Sequence, residues 1–109
     1  LEFVKERMNC GVIKHSKLQM KKIKKVAVLG GSGSFAISAA KAAGADAFVS
    51  SDLKYHDFFR ADDQILLLDI GHYESEQYIK ILLMSYLRKK IPNFAILLSK
   101  INTNPVKYK

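Results

Sequence analysis

His72 and Glu76 stand four residues apart, shortly after the apolar run Ile65-Leu66-Leu67-Leu68. On a helix that spacing puts both side chains on one face, one turn apart. An imidazole nitrogen and a carboxylate oxygen directed into one small volume are what zinc, iron or manganese takes as ligands. A metal held by protein takes about three or four side chains, so these two residues amount to part of a site. The plainer reading is local: Glu76 serves the first helical turn through the dipole and His72 caps it. Positions 72, 76, 79 and 83 trace one face, and Ile79 and Leu83 make its continuation apolar. His72 and Glu76 are therefore predicted to extend a buried stripe, where polar groups need a partner.

Two further groups of residues could do chemistry. Asp52 follows Ser50-Ser51 and reads first as the N-cap of a helix through Leu53, Tyr55, His56 and Phe59. His56, one turn later, suits a general acid or base, a support for a metal ligand, or a merely local hydrogen bond. In the loop Gly30-Gly31-Ser32-Gly33-Ser34-Phe35, the spacing Gly31-x-Gly33-x-x-Ala36 fits the loose dinucleotide-binding pattern, with Asp52 about 20 residues further on where a ribose-binding acid would sit. Gly31, Ser32, Gly33 and Ser34 would also suit a substrate phosphate held on backbone amides. The bland alternative is a tight strand-to-helix turn. No Gly-Lys-Ser/Thr ending follows, so a P-loop is not supported.

Positioning these residues requires parallel strands. Val26 to Leu29, Ala47 to Val49, Ile65 to Leu68 and Phe94 to Leu98 read as short buried strands. Between them lie a helix from Ser34 to Ala43 closed by Gly44, a second through Phe59 ended by Ala61-Asp62-Asp63, and a long one from about Gly71 to Pro92. Right-handed crossovers make such strands parallel and line their carboxyl ends along one sheet edge. The three loops carrying Gly30 to Phe35, Asp52 to His56 and Asp69 to Glu76 are then neighbours, about 4.8 Å apart per strand. The fold class expected is α/β, a mostly parallel sheet flanked by helices. Residues 1 to 22 read as a short helix, a turn at Asn9-Cys10-Gly11 and a strand at Val12-Ile13.

Composition narrows the function classes. The chain has 109 residues, 49% of them hydrophobic, enough for one small core, and no run long enough to span a bilayer. Cys10 is the single cysteine, which rules out an intramolecular disulfide and suits a reducing cytoplasm. The net charge of +8 sits at the ends: residues 1 to 25 carry eight Lys or Arg against two Glu, and residues 88 to 109 carry six and no acid. Residues 26 to 87, which hold every motif above, carry four bases against eight acids. That distribution lacks the continuous basic face of a nucleic-acid binder and suits a cation site.

The ordered set Leu29-Gly30-Gly31-Ser32-Gly33-Ser34-Phe35, Gly44-Ala45-Asp46-Ala47-Phe48-Val49, Asp52-Leu53-Lys54-Tyr55-His56-Asp57, Asp69-Ile70-Gly71-His72-Tyr73-Glu74-Ser75-Glu76 and Ile101-Asn102-Thr103-Asn104-Pro105 resembles the C-terminal part of the Nif-three-like family. That resemblance implies a two-metal protein, typically hexameric, often labelled GTP cyclohydrolase type 2. It implies that His72 is the ligand of one metal and Glu76 the carboxylate bridging both. Asp52 and His56 match an Asp and a His near the pocket, implying a supporting or substrate-facing role. The family's remaining ligands, a histidine pair and an aspartate from the N-terminal half, have no counterpart here. Ser51 replaces a glycine common at its position. The chain begins at Leu1, and the resemblance makes residues 1 to 23 the tail of an inserted domain or linker and 24 to 109 the C-terminal half of a larger metal-binding core. The function expected is a metal-dependent hydrolase of a phosphorylated or nucleotide-like molecule. A non-catalytic metal-binding scaffold or regulatory protein and a dinucleotide-binding domain are the alternatives.

Overall fold

The computed structural model describes residues 1–18 and 21–109. In chain order it contains α1 (Glu2–Met8), β1 (Lys14–His15), β2 (Val26–Ser32), a 3-10 turn (Ser34–Ala36) leading into α2 (Ile37–Ala42), β3 (Ala47–Ser51), a 3-10 helix (Tyr55–Ala61), β4 (Leu66–Asp69), α3 (His72–Glu76) and α4 (Ile79–Lys90). The four strands form one sheet in the order β1-β4-β3-β2. β2, β3 and β4 are parallel, and β1 joins antiparallel, Lys14 opposite Asp69 and His15 opposite Leu68.

The apolar runs of β3 and β4 are buried on both faces, as predicted, whereas β2, expected to be buried, lies at the edge of the sheet with Val26 and Val28 exposed. Successive residues of a strand point to opposite faces, and each face has its own core. Phe48 and Leu67 pack on one side with Ile37, Ala40, Leu53 and Ile65. Ala47, Val49 and Leu68 pack on the other with Cys10 and Ile70, over Val4, Met8 and Ile13. Fully burying such side chains contributes about 1.5–3 kcal/mol each, so β3 and β4 carry the fold. Residues on either side of the boundary expected near residue 23 share this sheet: β1 is one of its strands, and Val4 and Met8 of α1 pack on its second face.

Two glycines are required by geometry. Gly44 has φ +69°, and the amides of Ala43, Gly44 and Ala45 return to carbonyls of the last turn of α2, the left-handed helix end that its position predicted. At Gly33 a Cβ would collide with the buried Ser50 hydroxyl and stand 3.2 Å from Phe48 Cζ. Here the chain turns from β2 into α2 against the floor of the sheet.

Four further expectations are corrected. The helix predicted from Gly71 to Pro92 is divided at Gln77-Tyr78; Gln77 Nε2 and Tyr78 Oη donate to the carbonyls of Met8 and Arg7 at the end of α1, and the two helices separate where these side chains dock. The predicted buried stripe does not continue along α4, which buries no residue: Ile79 and Leu83 are exposed. The strand predicted at Phe94 to Leu98 is absent. That segment has no adjacent strand to pair with, and Leu97 is 90% exposed; an unpaired extended segment gains no ladder bonds. The strand expected at Val12-Ile13 lies two residues later, at β1.

Candidate metal centre

The three loops expected to converge do meet at the carboxyl ends of the parallel strands. After β4, Gly71 at φ +93° turns the chain into α3. Its bare backbone admits the Glu74 carboxylate, and a Cβ there would also stand 2.9 Å from the Tyr108 hydroxyl. Within α3, His72 Nε2 lies 3.1 Å from Glu76 Oε2, the one-face relation predicted from their spacing. His72 Nδ1 lies 2.6 Å from Asp52 Oδ2, so the loop after β3 supplies a carboxylate to the other ring nitrogen. Ser32, at the end of β2, donates its hydroxyl to the same Asp52 oxygen.

Asp52 is therefore not the N-cap expected. Its φ is +57°, a conformation that Asp tolerates better than most residues, and its carboxylate turns toward Ser32 and His72. Capping falls to Asp57, whose Oδ2 accepts the Lys54 amide at 2.9 Å. The Ser32 and His72 hydrogen bonds, in that order, hold the Asp52 carboxyl below its ordinary range. Reciprocally, the hydrogen bond to Asp52 raises the His72 imidazole, and the charges of Asp52 and Glu76 reinforce the shift. The His72 and Glu76 side chains remain 53% and 51% exposed, open to a ligand.

His56 is placed elsewhere. It stacks on Phe59 at 6.2 Å between ring centres and meets Tyr55 edge-on, and it does not line the cavity that His72 and Glu76 face. The glycine loop faces inward: the Gly31 amide donates to Ser75 Oγ at 2.8 Å and the Gly33 amide to the Ser51 carbonyl at 3.2 Å. Ser34 accepts Arg60 on its carbonyl. With the amides of Gly31 and Gly33 committed, the loop's geometry favours packing against α3 over cradling a phosphate.

Sequence reasoning passed over two residues. Asp69, buried at the end of β4, accepts the amides of Leu53 at 3.0 Å and Gly71 at 3.1 Å and pairs with Lys14 at 2.7 Å, so one carboxylate ties down both loops that carry Asp52 and His72. Its signal was available, an acid ending an apolar strand at the functional edge of a parallel sheet. Ser75 links the Gly31 amide to the His72 carbonyl; nothing in one sequence marks that serine.

A cavity of about 820 Å³ opens beside the pair, walled on the far side by the C-terminal segment through Asn104 and Tyr108. Burial, then the charges of Glu74 and Asp69, raises the Tyr108 phenol. The donor chemistry fits part of a divalent-metal site: an imidazole whose far nitrogen is held by a carboxylate and whose near nitrogen faces a second carboxylate. Among the described residues, no group of three or more His, Cys, Asp and Glu is disposed to hold a metal ion.

Fold and site together define an α/β protein with a histidine–carboxylate pair at the carboxyl edge of a parallel sheet. The chain belongs to the Duf34/NIF3 (NGG1p interacting factor 3) family, whose sequence model matches residues 1–105. It is 40% identical over 112 residues to a protein of Staphylococcus epidermidis named GTP cyclohydrolase 1 type 2 homolog, covering 99% of this chain and 31% of that protein. A Campylobacter jejuni protein of the same name is 37% identical over 108 residues, 98% of this chain and 42% of the other. A Bacillus cereus protein related to NIF3 superposes with a TM-score of 0.89 at 31% identity, over 99% of this chain and 31% of that one. The chain thus spans about a third of the length of these Staphylococcus and Bacillus proteins. Among the described residues no helix is long and apolar enough to cross a membrane.

Proposed function

We propose that this chain supplies His72 and Glu76 to a divalent-metal centre, in a protein that hydrolyses a phosphorylated or nucleotide-like small molecule. The observation carrying this reading is the disposition of one imidazole, with Nδ1 on Asp52 at 2.6 Å and Nε2 3.1 Å from Glu76. Asp52 orients the ring through Nδ1, leaving Nε2 and the Glu76 carboxylate as the donors for zinc, iron or manganese. A bound ion would supply Lewis-acid polarisation and activation of water at that point. Asp69 fixes the two loops that hold the ring and its partner, and the segment carrying Asn104 and Tyr108 flanks a small molecule entering the cavity. The relatives' name, GTP cyclohydrolase 1 type 2 homolog, agrees with a nucleotide-like substrate. Completing two metal sites requires donors from outside this chain, in a longer protein or a homo-oligomer such as a hexamer.

Equilibrium dialysis of the chain against zinc or manganese tests the ligand assignment, beside the double variant His72→Ala/Glu76→Ala. Weak binding abolished in the variant is expected; equal uptake by both refutes it, and tight binding of two ions by the chain alone refutes the need for outside donors. Hydrolysis of nucleotides and phosphoesters by the metal-loaded full-length protein, lost in Glu76→Ala, separates an enzyme from a metal-binding scaffold.

A further inference from the structure

Ser32 falls in the loop that a phosphate reading would claim, yet its hydroxyl points along the sheet edge to Asp52. Three observations single out that contact. The β2–β3 register shifts between Val28 and Ser32, and Gly31 stands at φ +73°; an irregularity of this type re-aims the side chain that follows it. Asp52, the acceptor, has a left-handed backbone, φ +57°, a conformation sparsely populated by residues other than glycine and concentrated at functional sites. The accepting oxygen is Oδ2, the one that also meets His72 Nδ1.

We propose that Ser32 is a positioning residue for metal capture: its hydroxyl fixes the Asp52 carboxylate, which holds a proton on His72 Nδ1 and thereby presents the Nε2 lone pair beside Glu76. The inference rests on the proposed role of His72 and Glu76 as ligands. Without the serine, Asp52 keeps only the ring as a side-chain hydrogen-bond partner, on a half-exposed loop, and both swing together. A free imidazole in water favours the proton on Nε2, the nitrogen a metal would need. Supports of this type are worth about 10- to 100-fold in metal affinity, and Ser32, two bonds removed from the ligand, belongs at the lower end.

The test uses the 109-residue chain, whose three histidines make imidazole nitrogen spectra assignable, with His72→Asn identifying the His72 signals. Spectra of the metal-free chain, taken above the titration range of the ring, are expected to show His72 protonated at Nδ1. Ser32→Ala shifts it toward a mixed tautomer, and Ser32→Thr, which keeps the hydroxyl, restores it. Zinc or manganese affinity falls about tenfold in Ser32→Ala and recovers in Ser32→Thr. An unchanged tautomer, or an unchanged affinity, in Ser32→Ala overturns the proposal. If the wild-type chain and the His72→Asn variant take up metal equally, the ligand reading fails and the proposal's metal clause with it; the nitrogen spectra then decide alone whether Ser32 positions the ring.

Discussion

Replacing Gly31 with alanine tests whether the glycine loop is shaped by the site or merely by the turn. The residue stands at φ +73°, and a Cβ there would lie 2.6 Å from Glu76 Oε1, 3.4 Å from its Cδ and 3.7 Å from His72 Cε1. Two costs follow. The left-handed backbone disfavours alanine by about 1–2 kcal/mol, which lowers Tm by roughly 5–10 °C in a domain of this size. The contact with Oε1 is far closer than van der Waals distance, and the half-exposed Glu76 side chain relieves it by rotating away from His72. Gly44→Ala supplies the control, because Gly44 has φ +69° and nothing within 4 Å of its would-be Cβ. Urea unfolding should therefore show a similar loss in both variants. In equilibrium dialysis, Gly31→Ala alone should lose metal binding. Equal binding by Gly31→Ala and Gly44→Ala would refute the argument that the loop lacks a side chain to accommodate the Glu76 carboxylate.

Other outcomes follow from the same geometry. Asp46 pairs with Lys21 at 2.7 Å and accepts the amides of Lys24 and Lys25 at 2.9 Å each, which together hold its carboxyl far below the usual carboxylate range. The folded state therefore binds this proton more weakly than the unfolded state, so the stabilisation is complete above about pH 4 and is lost as pH falls below it; the Tm gap between wild type and Asp46→Asn should narrow on acidification through that range. His72 in the metal-free chain should titrate above the ordinary histidine value of about 6.5, because Asp52 raises it. Stabilisation from that pair is present below pH 6.5 and fades as pH rises through the shifted value, and Asp52→Asn should return the NMR midpoint toward normal. Burial pushes the Cys10 thiol up, and thiolate is the reactive form, so disulfide reagents should label Cys10 slowly in the folded chain and rapidly in urea.

The centre of the sheet was legible because β3 and β4 obey a rule that local sequence order can express. Leu66, Leu67 and Leu68 alternate between two cores, and a run without polar interruption is what such burial looks like in sequence. His72 and Glu76 were legible for a similar reason, since helical periodicity is local. Ser32 and Asp52 were harder, because their meeting depends on a register shift and a left-handed residue that leave no periodic trace. Asp52 also satisfied the usual signature of a cap, but the helix begins three residues later, at Tyr55, and Asp52 takes a left-handed backbone outside it. On α4, periodicity correctly gave a helix, but an apolar face in sequence does not say whether this chain covers it: Leu82 is 65% exposed.

The central position of β3 and β4 sets a gradient of persistence across the molecule. Amides in these strands, covered on both faces, should exchange hydrogen only through near-global opening, whereas those of α4, which buries no residue, open locally at far lower cost. Asp52 hangs from the slow side of that gradient and Glu76 lies at the threshold of the fast one, with His72 hydrogen-bonded across the junction. Local fraying of α4 into α3 can thus part the histidine from its supporting carboxylate while the sheet stays intact. Any ligand that spans Asp52's loop and Glu76 draws these two populations together, and its binding free energy will register as slowed exchange along α4, beyond the residues it contacts.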